Sequence, residues 1–427
     1  MDFLMLPCYN INDPIFRLTN VVQCAEDGDS MNDTHGMVVN ESFSFSSFKA
    51  DTVLDIMHDA AGQRSEVLRI RGIGDQITRF AFASGDGLVR LANTGAIEDD
   101  NVIGHFLSLV PGRNEAFFEF YRKNGFLFPI STKHYESFSP DAAWRLLLRF
   151  KATVQLMTAL DGSTPAWQTL LVPTLLLLMG DPVCIPARDN VQTYESAVNG
   201  AIKTIEKASQ LPDIYGSAEA YQKNTYTILD RVYGPTFELD SEIYEDISSG
   251  SAVEFTRSGC TDLRFRNIVR TYRIARNLPA EERLIIDFLF HFMMDVGILA
   301  SADYINGLDF YEAPNFAGMT VQLSAALESV ARVVVREEIN HNIKHISPKY
   351  DTDKMAPSWE VPDLLSAMYF SLFFMRPGVE VYRECANPNC NVHFLVKTTA
   401  TRNKYCCPAC ANATAQRNHR RRKSQRT

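Results

Sequence analysis

The order of apolar and polar residues predicts short strands near the N-terminal end and helices over most of the remaining chain. Residues 1–48 are rich in asparagine, aspartate and serine, which is typical of irregular structure and short strands. From about 49 to 98, β-like segments such as "EVLRIRGI" and "ITRFAFASG" alternate with turn signals such as "SGDG". Two helices, "EDDNVIGHFLSLV" and "GRNEAFFEFYRKNG", are predicted next, and Gly125 is placed to end the second.

Helical spacing of apolar residues recurs beyond this point. Further helices are predicted at 140–160, 279–299, 319–345 and 361–375. Two apolar stretches, 169–180 and 284–300, are too short or too interrupted by ionisable residues to span a bilayer, so buried core helices are expected there. Between 210 and 280 the pattern weakens, and "AYQKNTYTILDRVYG" is compatible with strands.

Composition is that of an ordinary globular protein, with 46% apolar and 22% charged residues. A chain of 427 residues is long enough for about two or three domains. The first residues, "MDFLMLPCYNINDP", lack the basic region and cleavage site of a secretory signal. A cytoplasmic location with no membrane partner is therefore expected.

Charge is distributed unevenly along the chain. Residues 383–427 hold ten lysines and arginines and one acid, Glu384, whereas the remaining residues hold 32 basic and 50 acidic side chains. An acidic body repels polyanions, so a nucleic acid is expected to meet only the basic end. Basic tails are also common without any such function, and charge alone leaves that alternative open.

Cysteines are concentrated near the same end. Four of the nine are scattered, at Cys8, Cys24, Cys184 and Cys260, and five lie between 385 and 410. An odd, clustered set without an export signal argues against a disulfide framework. The close pairs are Cys385 with Cys390, and Cys410 with either Cys406 or Cys407. Two pairs at this spacing are typical of a tetrahedral Zn²⁺ site, so zinc is the predicted cofactor.

The segments around the cysteines are compatible with a small treble-clef or ribbon-like zinc finger. "HFLVK" and the polar turn that follows it are predicted to form a hairpin between the two pairs, and a helix is expected after Cys410. Such a unit is too small to fold on apolar burial alone, so the metal would supply much of its stability. His393 is predicted to face solvent rather than bind the metal.

The predicted C-terminal helix is strongly basic. Arg417, Arg420 and Arg421 share one face, and Arg422 and Lys423 widen it. An arginine stripe of this kind suits contacts with phosphates and with guanine. These five residues are the predicted nucleic-acid contacts, although charge does not distinguish DNA from RNA.

The C-terminal region resembles the CGNR-type zinc-finger proteins, a bacterial family of transcription regulators. The resemblance rests on "RECANPNCNVHF", on "KYC" and on the basic "QRNHRRRK" segment, with weaker similarity upstream at "FFEFYRKNGFLFP" and "VREEINHNIKHISP". The family's name motif is replaced here by "CANA" at 410–413. The resemblance implies transcription regulation through DNA, and it selects Cys406 rather than Cys407 as the ligand that joins Cys410.

The rest of the chain offers weaker candidate chemistry. Glu337, His341 and His345 share one helix stripe, but the spacing differs from that of a zinc-protease helix, and packing at the helix end is favoured over a metal site. No phosphate loop or nucleophile motif is found, so a non-enzymatic protein is favoured, with an enzymatic body left open.

Taken together, the sequence predicts a mostly α fold with a mixed α/β N-terminal part. Its predicted regions are 1–125, mixed α/β, 126–380, mainly helical, and 381–427, the four-Cys zinc finger with its basic helix. The predicted function is DNA binding, with the helical body as a sensing or assembly domain that could bind a small-molecule effector or form a homo-oligomer. The alternatives are a ligand-binding or enzymatic body with a purely structural or protein-docking finger, and RNA binding.

Overall fold

The computed structural model describes residues 41–58, 62, 64–83, 87–99, 101–161, 165–187, 190–208, 262–274, 278–352, 355–375, 380–397 and 403–424. All of them belong to one unit, Gly36–Thr427. The predicted irregular segment at the N-terminus lies largely outside the described residues, and so do the strands considered for "AYQKNTYTILDRVYG".

An antiparallel sheet forms the N-terminal part of the described chain. Its strands are β1 (Glu41–His58), β2 (Arg64–Ala83), β3 (Gly87–Leu91), β4 (Ile97–Asp99) and β5 (Glu136–Phe138), in the order β1-β2-β3-β4 with β5 also on β2. Aromatic residues face one another across β1 and β2. The ring centroids of Phe43 and Phe82 lie 5.5 Å apart, and those of Phe45 and Phe80 lie 4.9 Å apart. Cross-strand pairs of this kind stabilise the register of the two strands.

The two β-like segments predicted separately, "EVLRIRGI" and the described part of "ITRFAFASG", lie in the single strand β2. Pairing with β1 is interrupted between them, where Phe48 pairs with Ile77 but Ala50 pairs with Gly72. The glycine-rich "GIGDQ" stretch fills this irregularity. Glycine and aspartate are rare inside strands, which explains why the sequence pattern divides one strand into two.

Helices α1 (Val102–Leu107) and α2 (Asn114–Asn124) confirm the two helices predicted after the sheet. Gly125 ends α2 with a φ of 82°, and its N–H donates to the carbonyl oxygen of Tyr121 at 2.8 Å. A Cβ atom at this position would collide with the carbonyl oxygen of Phe48 on β1. Glycine therefore permits both the left-handed turn and the close approach of the chain to the sheet.

In the described part of the chain, seven helices form the body: α3 (Pro140–Leu160), α4 (Trp167–Met179), α5 (Asn199–Lys207), α6 (Leu263–Ile274), α7 (Ala280–Asp295), α8 (Val321–Ile343) and α9 (Leu364–Phe374). The predicted buried helices are confirmed as α4 and α7, whose apolar residues lie in the core. None of the described helices combines the length and the apolar character needed to cross a membrane.

Short two-stranded antiparallel sheets connect these helices. They are β6 (Val183–Ala187) with β7 (Asn190–Tyr194), β8 (Leu299–Asp303) with β9 (Gly307–Phe310), and β10 (Ser347–Asp351) with β11 (Ala356–Glu360). With the N-terminal sheet, they make the described chain a mixed α/β fold. The domain boundaries at 125 and 380 remain predictions. Phe120 and Phe126, on the two sides of the first boundary, belong to one buried cluster.

A buried ion pair joins three helices of the body. Arg149 on α3 donates from Nε to Oε1 of Glu338 on α8 at 2.8 Å and from Nη2 to Oε2 at 2.6 Å. The hydroxyl of Tyr369 on α9 donates to Oε1 of Glu338 at 2.8 Å. Arg149 and Glu338 are 2% and 1% exposed, so the charges are out of reach of water. A buried pair needs this bidentate geometry to offset the loss of hydration.

Candidate metal centre

The cysteine region is built on a hairpin and a helix. Strands β12 (Glu380–Glu384) and β13 (His393–Lys397) pair antiparallel, and the turn between them carries Cys385 and Cys390. Helix α10 (Pro408–Ser424) begins just after Cys407 and contains Cys410. The predicted hairpin differs in its partner strand, because "HFLVK" pairs with a strand that precedes Cys385 rather than with one between the two cysteine pairs.

Backbone hydrogen bonds hold the two cysteine segments against each other. The N–H of Cys385 donates to the carbonyl oxygen of Val392 at 2.9 Å and closes the hairpin. The N–H of Ala386 donates to the carbonyl oxygen of Lys404 at 2.8 Å and joins the first segment to the second. Although burial opposes it, hydrogen bonding from the backbone of Cys406 and Asn387 lowers the pKa of the Cys385 thiol. A lower pKa favours the thiolate, which is the form that binds metals.

Four thiols converge between these elements. The sulfur atoms of Cys385, Cys390, Cys406 and Cys410 all lie within 4.8 Å of one another. The Sγ atom of Cys406 is 3.7 Å from that of Cys390 and 3.7 Å from that of Cys410. Four sulfurs arranged tetrahedrally at about 2.3 Å from one ion would lie about 3.8 Å apart. The cluster could therefore hold a metal ion with little movement, and its geometry is consistent with zinc.

The adjacent thiol of Cys407 lies at the edge of this cluster. Its sulfur atom is 3.9 Å from that of Cys406, and its side chain is exposed. It is not one of the four thiols that lie within mutual reach. Hydrogen bonding from the backbone of Cys410 lowers the pKa of Cys407, as expected at the start of a helix. The choice of Cys406 as ligand remains a prediction, and the geometry favours it.

Polar side chains form a second layer behind the thiols. The amide Nδ2 of Asn387 donates to Sγ of Cys410 at 3.4 Å, and Arg417 donates to Oδ1 of Asn387 from Nη1 and Nη2 at 3.3 and 3.4 Å. This chain places a positive charge behind a cluster that would be anionic when its thiols are deprotonated. The role of Asn387 was not predicted from the sequence. The "NPN" turn could have indicated it, because Oδ1 of Asn387 also accepts from the N–H of Asn389 at 3.3 Å within this turn.

The predicted nucleic-acid contacts all lie on α10 but differ in their surroundings. Arg417 is half-buried and directed at Asn387, so its guanidinium group is already engaged. Arg420 is exposed. Arg421, Arg422 and Lys423 belong to the same helix, but their side chains lie outside the described residues.

The hairpin is fixed to the body through the backbone of His393. The N–H of His393 donates to Oγ of Ser108 at 2.8 Å, and its carbonyl oxygen accepts from Nδ2 of Asn101 at 2.9 Å. A Cβ atom on Gly104 would collide with the same carbonyl oxygen. The prediction that His393 faces solvent is wrong, because the residue is 6% exposed. Burial, assisted by the charge of Lys151, lowers the pKa of its imidazole.

The helix stripe of Glu337, His341 and His345 does not form a second centre. Within the described part of the chain, the four cysteines are the only group of three or more potential ligands in metal-binding proximity. Glu337 instead accepts from Nε of Arg336 at 2.7 Å. Burial lowers the pKa of His341, which fits packing at the end of α8.

Comparison of the chain with protein-family models, curated proteins and solved structures finds no match. The resemblance to CGNR-type proteins therefore rests on the quoted residues and remains a prediction. Any function must be supported by the thiol cluster, by helix α10 and by the attachment of both to the body.

Proposed function

We propose that this chain is a zinc-containing DNA-binding protein that regulates transcription. Its C-terminal module would be a small treble-clef-like finger, in which zinc is bound by Cys385, Cys390, Cys406 and Cys410. The observation that carries the proposal is the position of the thiol cluster at the start of the basic helix α10. A metal bound there would fix the first turn of a helix whose remaining side chains are largely polar or charged.

Zinc is the metal that this donor set favours. Thiolates are soft ligands that select zinc over hard cations such as Mg²⁺ and Ca²⁺. Four of them close the coordination sphere, which is typical of structural rather than catalytic zinc. The role proposed for the ion is therefore to stabilise the module, and the donors on Asn387 and Arg417 would offset part of the negative charge of the site.

DNA is the proposed partner because of the contrast between the body and the last helix. The basic end of the chain would be attracted to phosphates and the acidic body repelled, so binding would orient α10 towards the duplex. Arg420 is exposed and available for such a contact. The guanidinium of Arg417 is held near the metal site, so its proposed role shifts from direct contact to support of the site.

The proposal is tested by measuring how DNA affinity depends on salt. Full-length, zinc-loaded protein is titrated into a labelled duplex, and anisotropy is recorded at several salt concentrations. The test variant replaces Arg420, Arg421, Arg422 and Lys423 with alanine. The loss of four phosphate contacts should lower affinity and reduce the slope of log K against log salt by up to about 3.6.

The matched control removes four basic residues that are exposed on the body: Arg113, Lys133, Lys203 and Lys207. It should bind DNA as the wild type does. The proposal fails if the wild type does not bind DNA, or if the α10 variant and the control weaken binding equally. A single-stranded RNA of equal length is titrated in parallel. If the protein binds this RNA more tightly than the duplex, the RNA alternative is favoured.

A second function is favoured by the attachment of the hairpin to α1. The hydrogen bonds from Asn101 and to Ser108 make the cysteine hairpin continuous with the body rather than a finger on a free linker. A structural zinc centre that supports a ligand-binding or enzymatic body would need such an attachment. In that case zinc would be required for stability, and the absorbance spectrum of the purified protein would show no bound nucleic acid.

A further inference from the structure

A cavity of about 430 Å³ lies between helix α3 and the β12–β13 hairpin. One wall is a face of α3 with residues at helical spacing, Lys151, Val154, Thr158 and Ala159. The opposite wall comes from the hairpin and includes His393. The volume falls in the range of small-molecule sites, and it is too small for a folded partner.

The lining combines apolar, polar and charged side chains. Val154 and Ala159 supply apolar surface, and Lys151, Arg383 and Glu384 supply the charges. Two basic groups against one acid leave a net positive charge. Nη1 of Arg383 already donates to the carbonyl oxygen of Asn403 at 3.1 Å, which leaves Lys151 as the principal free cation of the described lining.

Lys151 on α3 is held in a half-buried position. Among the described residues its ammonium group makes no hydrogen bond and no ion pair at contact distance. Burial lowers its pKa, while the carboxylate of Glu384 opposes this by favouring the charged form. A half-buried ammonium group loses part of its hydration, and a bound anion would offset part of that loss.

We propose that this cavity binds a small organic monoanion, with its carboxylate on Lys151 and its apolar part against Val154 and Ala159. This inference rests on the sensing role that the sequence predicts for the body of the proposed regulator, and it names the effector class. The ligand would contact the strands on both sides of the turn that carries Cys385 and Cys390. Binding would therefore be coupled to the metal module, and zinc and ligand would strengthen each other's binding by the same factor.

Binding is measured without nucleic acid, so failure of this inference and failure of DNA binding can be distinguished. Zinc-loaded, full-length protein is titrated by calorimetry with benzoate, 2-naphthoate and decanoate, and with the neutral analogue 2-naphthamide. A charge-assisted hydrogen bond should make 2-naphthoate bind at least about tenfold more tightly than 2-naphthamide. The inference is overturned if none of the three carboxylates binds, or if the amide binds as tightly as the acid.

Substitutions in the lining test whether the ligand binds in this cavity. Lys151→Met should abolish the preference for 2-naphthoate over 2-naphthamide. Lys151→Arg, which keeps the positive charge, should retain that preference. Lys133→Met, on an exposed lysine of the body, should leave both affinities unchanged. Ala159→Leu adds bulk to the lining of the cavity and should weaken binding of the acid and the amide alike. The Lys151→Met and Ala159→Leu proteins are compared only if they melt at the wild-type temperature. If both then bind the ligands with unchanged affinity, the ligand binds elsewhere and the inference is contradicted.

Discussion

The two adjacent cysteines, Cys406 and Cys407, have opposite surroundings. Both residues precede the first turn of α10, and only Cys406 directs its sulfur at the other three thiols. The sulfur of Cys406 lies 3.7 Å from those of Cys390 and Cys410, whereas Cys407 is exposed at the margin. Spacing alone allows either residue, because both lie close enough to Cys410 in sequence.

Single cysteine-to-serine variants should separate these roles. Replacement of Cys385, Cys390, Cys406 or Cys410 removes one of four ligands and should lower the zinc content well below the one ion per chain expected of a closed site. Cys407→Ser is the matched control, and it should retain zinc. The measurement is zinc per chain by atomic emission after gel filtration. If the Cys406→Ser protein retains zinc and the Cys407→Ser protein loses it, Cys407 rather than Cys406 is the ligand.

Sequence reasoning at the residue scale found the thiols but not what supports them. Cysteine spacing is a local property, so the two cysteine pairs could be predicted from the chain, whereas the choice of Cys406 over Cys407 rested on the resemblance to CGNR-type proteins. The burial of His393 depends on Asn101 and Ser108, which are nearly 300 residues away in sequence. The engagement of Arg417 by Asn387 likewise crosses from the first cysteine segment to the last helix.

Among the elements, those with strong local signals were predicted best. Helix α3 begins at Pro140 after Ser139, whose hydroxyl accepts from the N–H of Asp141 at 3.2 Å, and the predicted range matches it. Strand β12 was missed, because a five-residue segment with three charged residues has weak strand character until β13 pairs with it. The identity of a partner strand is a tertiary property, which sequence periodicity does not encode.

The Arg149–Glu338 pair should be essential to the packing of α3, α8 and α9. Glu338→Gln removes the negative charge at nearly constant volume and leaves the guanidinium buried without a counter-ion. Loss of one partner of a buried pair costs about 3–5 kcal/mol. Urea denaturation followed by circular dichroism should show this decrease in the free energy of unfolding.

The control for that substitution lies on the same helix. Glu328 accepts from Arg332 at 2.7 Å one turn away, in an exposed pair. Glu328→Gln should change the free energy of unfolding by less than about 1 kcal/mol, because water screens exposed pairs. Equal effects of Glu328→Gln and Glu338→Gln would show that burial does not determine the contribution of the internal pair.

Across the molecule, stability should depend on the metal unevenly. Tyr382 on β12 belongs to the apolar core, whereas most side chains between 403 and 420 are exposed or half-buried. A strong chelator should therefore raise amide hydrogen exchange in the cysteine turn and in α10, while β12 and the body helices stay protected. Mass spectrometry with and without chelator measures this. Uniform loss of protection, or none, would contradict a metal that stabilises only the C-terminal module.

The contact between Gly104 and the carbonyl oxygen of His393 has a consequence for how this chain can vary. A side chain at position 104 would leave no room for this contact, so either the hairpin or helix α1, which carries residue 104, would have to move. In related chains, a larger residue there should be found only alongside altered sequence in the hairpin. Covariation at this position would thus record whether the cysteine module and the body have been inherited as a single unit.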